Sequence, residues 1–360
     1  MLKLDSISLV QFKNYQQTSF SFQQRIVGIA GKNGVGKTNL LDAIYYCCFT
    51  KSYFARSDSQ NVLRGAAGFR IEAHFTLQGE PLKIVCILRE NGKKEFLVND
   101  EPYEKLAQHI GRLPCVIIAP DDIQIITGGS EDRRRFLDML LSQLDATYLQ
   151  QLIDYNRVLQ QRNSFLKSIA EKRLTDTSLL DVYDRQLVYY GNYVFEKRRQ
   201  FLAEFIPAVQ RSYRHIAGVD EQLDIDYESQ LLQQPLADLF FRFREKDILL
   251  QRTTTGIHKD DLDIRFQQQP FKQIASQGQR KSLLFALKLA EFEALKTAKG
   301  FAPLLLLDDV FEKLDEQRMH NLLGEVCVKN KGQLFISDTH AERINRHFSQ
   351  LTDTFQVIGL

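Results

Sequence analysis

Apolar and polar residues alternate through SISLVQF near the N-terminus, and again through FRIEAHFTL (69–77), PLKIVCILR (81–89) and KEFLVND (94–100). A period of two marks strands with one buried face. The turn-type clusters QGE and ENGK that separate the last three runs predict an antiparallel meander. RIVGIA (25–30) and CVIIAPDD (115–122) contain continuous apolar runs of strand length. From about Asp132 to Val219 the period changes. Leu144, Tyr148, Leu152, Tyr155, Leu159 and Leu166 recur at helical spacing, as do Leu187, Val194, Phe201, Phe205 and Val209 until Pro207 and Gly218 weaken the pattern. This predicts long amphipathic helices that pack on one another in a helical subdomain, with a partner-binding coiled coil as the alternative. Beyond residue 250 the β/α alternation resumes. HKDDLDIRF reads as strand, QGQRKSLLFALKLAEFEALKT as helix, and LLLLDD, QLFISD and FQVIGL as strands. The expected architecture is an α/β domain built from residues 1–125 and 250–360, interrupted by a helical lobe over 126–249.

The 360 residues, 44% of them hydrophobic, suffice for more than one core. The longest apolar run falls far short of the ~20 residues that cross a bilayer, and the N-terminus alternates instead of forming a signal-peptide core. A soluble cytoplasmic protein is expected. Five cysteines (Cys47, Cys48, Cys86, Cys115, Cys327) in apolar settings and without C-x-x-C spacing read as buried free thiols. With 47 Lys and Arg against 45 Asp and Glu, net charge is only +2, so any polyanion site must be a local patch.

GKNGVGKT (31–38) sits between an apolar strand and an apolar helix and matches G-x-x-x-x-G-K-[ST] at Gly31, Gly36, Lys37 and Thr38. Glycines let successive backbone N–H groups of Gly31, Lys32, Asn33, Gly34, Val35 and Gly36 turn inward as an anion nest at the positive end of a helix. Lys37 would reach the β and γ phosphates of ATP, and the Thr38 hydroxyl would meet Mg²⁺. PLLLLDD supplies a strand buried on both faces, with two carboxylates at its end. Asp308 is the candidate Mg²⁺ ligand. Asp309 is the candidate to orient or deprotonate the attacking water.

ASQGQRKSLLF (275–285) places Ser276, Gly278 and Gln279 where a helix begins, so that hydroxyl, backbone N–H groups and helix dipole could hold phosphate oxygens. Alone, such a segment reads as an ordinary N-cap. Between a phosphate loop and a DD strand, in that order, it resembles the signature of ABC-type ATPases.

SLVQFKNYQQTSFSF, GKNGVGKTNLLDAIYY, APDDIQIITGGSEDRRRFLDMLL, TTTGIHKDDLDI, SQGQRKS and LLLLDDVFEKLD together, over nearly the whole chain, resemble the ordered blocks of the bacterial RecF family. The resemblance implies a P-loop ABC-type ATPase head, similar to those of SMC and Rad50 proteins, with a mixed sheet and an inserted α-helical lobe. It also implies ATP-dependent binding of gapped or junction duplex DNA in repair, slow DNA-stimulated ATP hydrolysis, an ATP-dependent homodimer, and work with RecR, RecO and RecA. In such a dimer Ser276, Gly278 and Gln279 of one subunit face Lys37 of the other. The resemblance further marks Lys13 and Asn14 as nucleotide contacts, Leu314 and Asp315 as the D-loop, and His340 as a γ-phosphate sensor. GIHKDD departs from the family's usual G-P-H-R-D-D at Ile257 and Lys259, which keeps a cation but loses the planar fork of arginine.

For duplex DNA the candidate cations are Arg133, Arg134 and Arg135, then Lys197, Arg198 and Arg199. Such runs on helices are otherwise solvated faces, or they anchor the lobe. The competing reading is a similar head in a defence or signalling system that acts on protein or RNA.

Overall fold

The computed structural model describes residues 1–172, 174–218, 221–309, 321, 323–329, 331–349 and 354–360. Leu314 and Asp315 lie outside the described residues. The chain divides into two compact units. One comprises Met1–Ile123, Ser212–Val219 and Gln277–Leu360, the other Gln124–Arg211 and Asp220–Ser276. The boundaries differ from the expected 126–249 because Asp261–Phe266 pairs antiparallel with Leu223–Glu228, which ties the segment after residue 250 to the helical unit.

In the first unit the parallel and antiparallel strands form separate sheets. The antiparallel sheet runs in the order Tyr15–Ser21, Leu2–Phe12, Phe69–Leu77, Glu80–Leu88, Lys94–Val98, Glu101–Pro102. Leu2 and Leu4 are buried, then Ile7 and Leu9, so the alternation slips by one residue. The pairing with Phe69–Leu77 shifts register between Leu4 and Ser6, and this bulge returns Ile7 and Leu9 to the core face.

The second sheet is parallel, in the order Gln356–Gly359, Ile26–Ala30, Leu334–Asp338, Leu304–Leu307, Cys115–Ile118. Its central strands IVGIA, LLLL and LFISD are buried throughout, which is why the first two are continuous apolar runs, while the third is apolar until the buried Ser337 and Asp338 at its end. Burying each of these leucines and isoleucines contributes roughly 1.5–3 kcal/mol.

Helix Lys37–Phe49 touches strands of both sheets. A helix between two apolar faces has no solvent side. Residues 40–49 are accordingly buried without interruption, and Thr50 ends the helix in the left-handed region (φ 58°). The five cysteines are buried and free, and among the described residues no helix is long and apolar enough to cross a membrane.

The second unit packs helices Ser130–Leu144, Ala146–Lys172, Leu179–Ala217 (through Arg211) and Leu236–Leu250 with a small antiparallel sheet. The single long stripe expected from Leu144 to Leu166 is broken at Asp145. Its carboxylate accepts from the Thr147 and Tyr148 N–H groups (2.8 and 3.1 Å) and starts a new helix. Pro207 does not end its helix, which continues to Ala217.

Charge fills the interior of this unit. Arg162 is fully buried, bonding Asp184 and Asp247 at 2.7 Å and Thr253 at 2.9 Å. Arg198 is 1% exposed and bonds Asp138 and Asp260 at 2.7 Å and the Ile257 carbonyl at 2.8 Å. Arg133 grips Asp261 bidentately at 2.6 and 2.9 Å. Arg133 and Arg198 are therefore corrected from DNA contacts to internal counter-ions, since a duplex cannot reach a guanidinium enclosed among its own carboxylates. Arg135, Lys197 and Arg199 remain on the surface, beside Glu131, Asp145 and Glu196.

Candidate active site

The carboxyl ends of three neighbouring parallel strands converge. Ala30 lies opposite Asp338, and Leu307 opposite Ile336, so the segments leaving these strands share one edge of the sheet. The phosphate loop leaves the first strand. Gly34 (φ 84°) and Gly36 (φ 120°) adopt backbone that an L side chain resists. A Cβ on Gly36 would stand 2.7 Å from Asn14 Nδ2 and 2.8 Å from the Tyr15 hydroxyl. Those two groups brace the loop from outside: Asn14 Nδ2 donates to the Val35 carbonyl (2.8 Å), and the Tyr15 hydroxyl donates to the Gly36 carbonyl (3.0 Å). Asn39 donates to Asn14 Oδ1 (2.7 Å). Lys32, Asn33 and Gly34 form the exposed rim, while Lys37 is buried with its ammonium on the Gly31 and Lys32 carbonyls (2.9 and 3.2 Å).

Asp308 reaches this loop across the sheet. Thr38 Oγ1 donates to its carboxylate at 2.9 and 3.1 Å, and Ser337 Oγ donates at 2.6 Å. Burial raises the Asp308 pKa above its ordinary value, and the bonds from Ser337 and Thr38 and the charge of Lys37 oppose that rise. A buried carboxylate held this way favours a nearby cation. Among the described residues no group of three or more His, Cys, Asp or Glu side chains is placed to hold a metal. The donor set is thus one hydroxyl and one carboxylate, hard oxygens that would suit Mg²⁺ beside a bound phosphate. The next residue, Asp309, is in the left-handed region (φ 47°), and its N–H donates to Ser337 Oγ (2.9 Å). Ser337 thereby ties the Asp308 carboxylate to the Asp309 backbone, a role no sequence motif indicated.

The remaining candidates are placed as follows. Lys13 forms an ion pair with buried Asp42 (2.5 Å) on the phosphate-loop helix. Asp42 also accepts from Ser52 Oγ (2.6 Å) and the Tyr53 N–H (2.7 Å). Tyr53 in turn donates to Asp122, which lies 3.8 Å from the buried Lys288 ammonium. Lys288 is on helix Gln277–Lys299, whose first turn carries Gly278 and Gln279. A polar path in the first unit thus links Lys13 and the phosphate-loop helix to that helix. Glu291 neighbours Lys288 at 3.5 Å, and burial pushes its carboxyl up to about 7 against the pull of Lys288. Ser276, exposed, immediately precedes the helix. His340 is exposed two residues beyond the strand, its N–H on Asp338 Oδ1 (2.6 Å).

A family model described as the RecF/RecN/SMC N-terminal domain matches residues 3–358. The chain is 43% identical over 359 residues, all of both chains, to a Flavobacterium johnsoniae protein named DNA replication and repair protein RecF. It is 41% identical to the Cytophaga hutchinsonii protein of that name, with 98% of this chain and 94% of the relative covered. A solved recombination mediator protein RecF with ATP, of the RecFOR pathway, superposes with a TM-score of 0.86 at 29% identity, covering 94% of this chain and 92% of the other. An SMC head domain from Pyrococcus furiosus matches in fold at a TM-score of 0.56 and 15% identity, covering 100% and 93%.

Proposed function

The chain belongs to the RecF family, and from that premise we propose that it is an ATP-dependent, duplex-DNA-binding mediator of DNA replication and recombinational repair. The observation that carries this reading is the hydrogen-bonded group Thr38, Asp308, Ser337 and Asp309 beside the phosphate loop. Bound Mg·ATP supplies the transferable phosphoryl group and the positive charge that offsets its oxygens. The backbone of Gly31 to Gly36 and the Lys37 ammonium position the phosphates, and Thr38 and Asp308 supply the oxygens for the metal. Asp309, held by Ser337, accepts the proton of the attacking water.

In this reading two copies share each nucleotide. Ser276, Gly278 and Gln279 of one subunit close on the phosphates held by Lys37 of the partner subunit, and two-fold symmetry makes two such sites. ATP favours the dimer only by binding it better than the monomer. The closed pair holds DNA, slow hydrolysis releases it, and RecR and RecO act with it to deliver RecA to gaps.

The test is fluorescence anisotropy of a labelled duplex with ATP, ADP or no nucleotide. Wild-type binding should require ATP, and both Lys37→Met and Ser276→Arg should abolish it. Binding indifferent to nucleotide and to Ser276 overturns the shared-nucleotide reading.

A further inference from the structure

The turn TTTGIHKDD in the second unit is stapled from inside. The hydroxyl of Tyr155 lies 2.8 Å from His258 Nδ1, and His258 Nε2 lies 3.2 Å from the Thr253 carbonyl, so residues 252–253 stand beside 258–259. Gly256 (φ 120°) lets the chain turn there, because a Cβ would come within 2.5 Å of the same hydroxyl. Arg134 reaches the turn from helix Ser130–Leu144 and donates to the Asp260 carbonyl at 2.6 Å.

Five aspartates of this region are already neutralised by buried arginines, while Glu228, opposite Asp261 on the paired strand, is exposed. Asp261 is held by Arg133, Asp260 and Asp138 by Arg198, and Asp247 and Asp184 by Arg162. Among the described residues Arg134, Arg252 and Lys259 form no ion pair, while Arg252 and Lys259 are exposed and Arg134 is half-buried. Burial lowers the Lys259 pKa, and the fields of Arg252 and Arg134 lower it further against a weaker pull from Asp247. Lys259 lies in the fields of Arg252 and Arg134, and the exposed pair Arg252 and Lys259 leaves local positive charge that an external anion can relieve, with Arg134, which also feels Asp261, Asp260 and Asp138, at its inner edge.

We propose that Lys259, Arg252 and Arg134 form a phosphate-binding patch that grips the sugar–phosphate backbone of duplex DNA. The patch rests on the DNA-binding reading given above and assigns it a surface. Separately spaced cations match the repeated charges of a nucleic-acid backbone, and such contacts fix position without reading bases. Each phosphate neutralised contributes about 0.9 to the slope of log affinity against log salt.

The experiment uses the full chain with Mg²⁺ and a slowly hydrolysed ATP analogue, titrating a labelled duplex over a series of KCl concentrations. The double variant Arg252→Ala/Lys259→Ala should lower the slope by about 2 and weaken binding on the order of tenfold. Analogue-dependent dimerisation and thermal unfolding should be unchanged, since both residues are exposed. Lys259→Arg should keep the wild-type slope. A double variant with the wild-type slope overturns the patch alone, and is the result expected if these cations serve an acidic protein. A wild type that binds no duplex with the analogue overturns the DNA-binding reading and the patch with it.

Discussion

Ser337→Ala tests the geometry of the hydrolytic edge. The Ser337 hydroxyl donates to Asp308 at 2.6 Å and accepts from the Asp309 N–H at 2.9 Å, in a fully buried setting. Truncation removes a hydrogen bond to a charged group, about 1.5–3 kcal/mol, and strands the Asp309 N–H, roughly another 1–3 kcal/mol if nothing replaces it. With partial relaxation, the expected loss of folding stability is about 2–4 kcal/mol. Asp308 also loses the first of the interactions that oppose its burial, so its pKa rises further. Asp309 is held in a left-handed conformation, with its N–H on the Ser337 hydroxyl. Loosening it by the equivalent of ~1.4–2.8 kcal/mol in the transition state lowers kcat about ten- to a hundredfold. ATP affinity should change less, because the phosphate loop is intact. The assay is steady-state hydrolysis at saturating Mg·ATP, together with calorimetric ATP binding and urea unfolding. A cooperatively folded Ser337→Ala protein with wild-type kcat would refute the assignment of Ser337 as the residue that positions Asp309.

Gly36→Ala should lose ATP affinity by at least tenfold, because the Cβ meets Asn14 and Tyr15 at φ 120°; calorimetry reads the loss directly. Arg198→Ala leaves buried Asp260 and half-buried Asp138 without their cation and should cost about 3–5 kcal/mol in stability. Its thermal midpoint should fall steeply, whereas a surface DNA contact would leave that midpoint in place. Burial lowers the pKa of His109 and of His258 from the ordinary 6.5 to about 4. Between those values the unfolded chain binds more protons, so stability should fall as pH drops from about 6.5 towards 4. Glu291, raised to about 7, acts oppositely, its contribution being present below pH 4.5 and lost as pH rises through 7. His109→Gln should flatten part of the acid-side slope in urea midpoints, and an unchanged slope counts against that assignment.

The strands, the phosphate loop and the DD edge were legible because each is specified locally. A nest needs glycine, a doubly buried strand needs an apolar run, and both leave contiguous marks. Ser337, Asp42 and Lys288 were not legible, because each acts through partners distant in sequence: Ser337 bonds Asp308, Asp42 pairs with Lys13, and Lys288 meets Asp122. A serine in a strand or a lysine in a helix announces no such partner. The arginine runs misled for a related reason. Arg133 and Arg198 lie in helices rich in charge, yet their rotation about the axis points them inward, towards acids supplied by a turn more than 50 residues away. The slip in alternation at Asp5 likewise becomes intelligible only with the neighbouring strand in place.

The order of strands in the parallel sheet bears on how the protein is made. Ile26–Ala30 is flanked by Leu334–Asp338 and Gln356–Gly359, so its lateral partners emerge from the ribosome about 300 residues after it. At bacterial elongation rates that is a wait of roughly 15–60 s. During translation the neighbouring meander of Leu2–Phe12, Phe69–Leu77 and Glu80–Leu88 has its strand partners early, with only the Leu4 backbone waiting for Gln333, whereas the IVGIA edge stays open. A nascent chain stalled before Leu334 would therefore present a sticky apolar ribbon and no working ATP pocket, an obvious handle for chaperones or proteases.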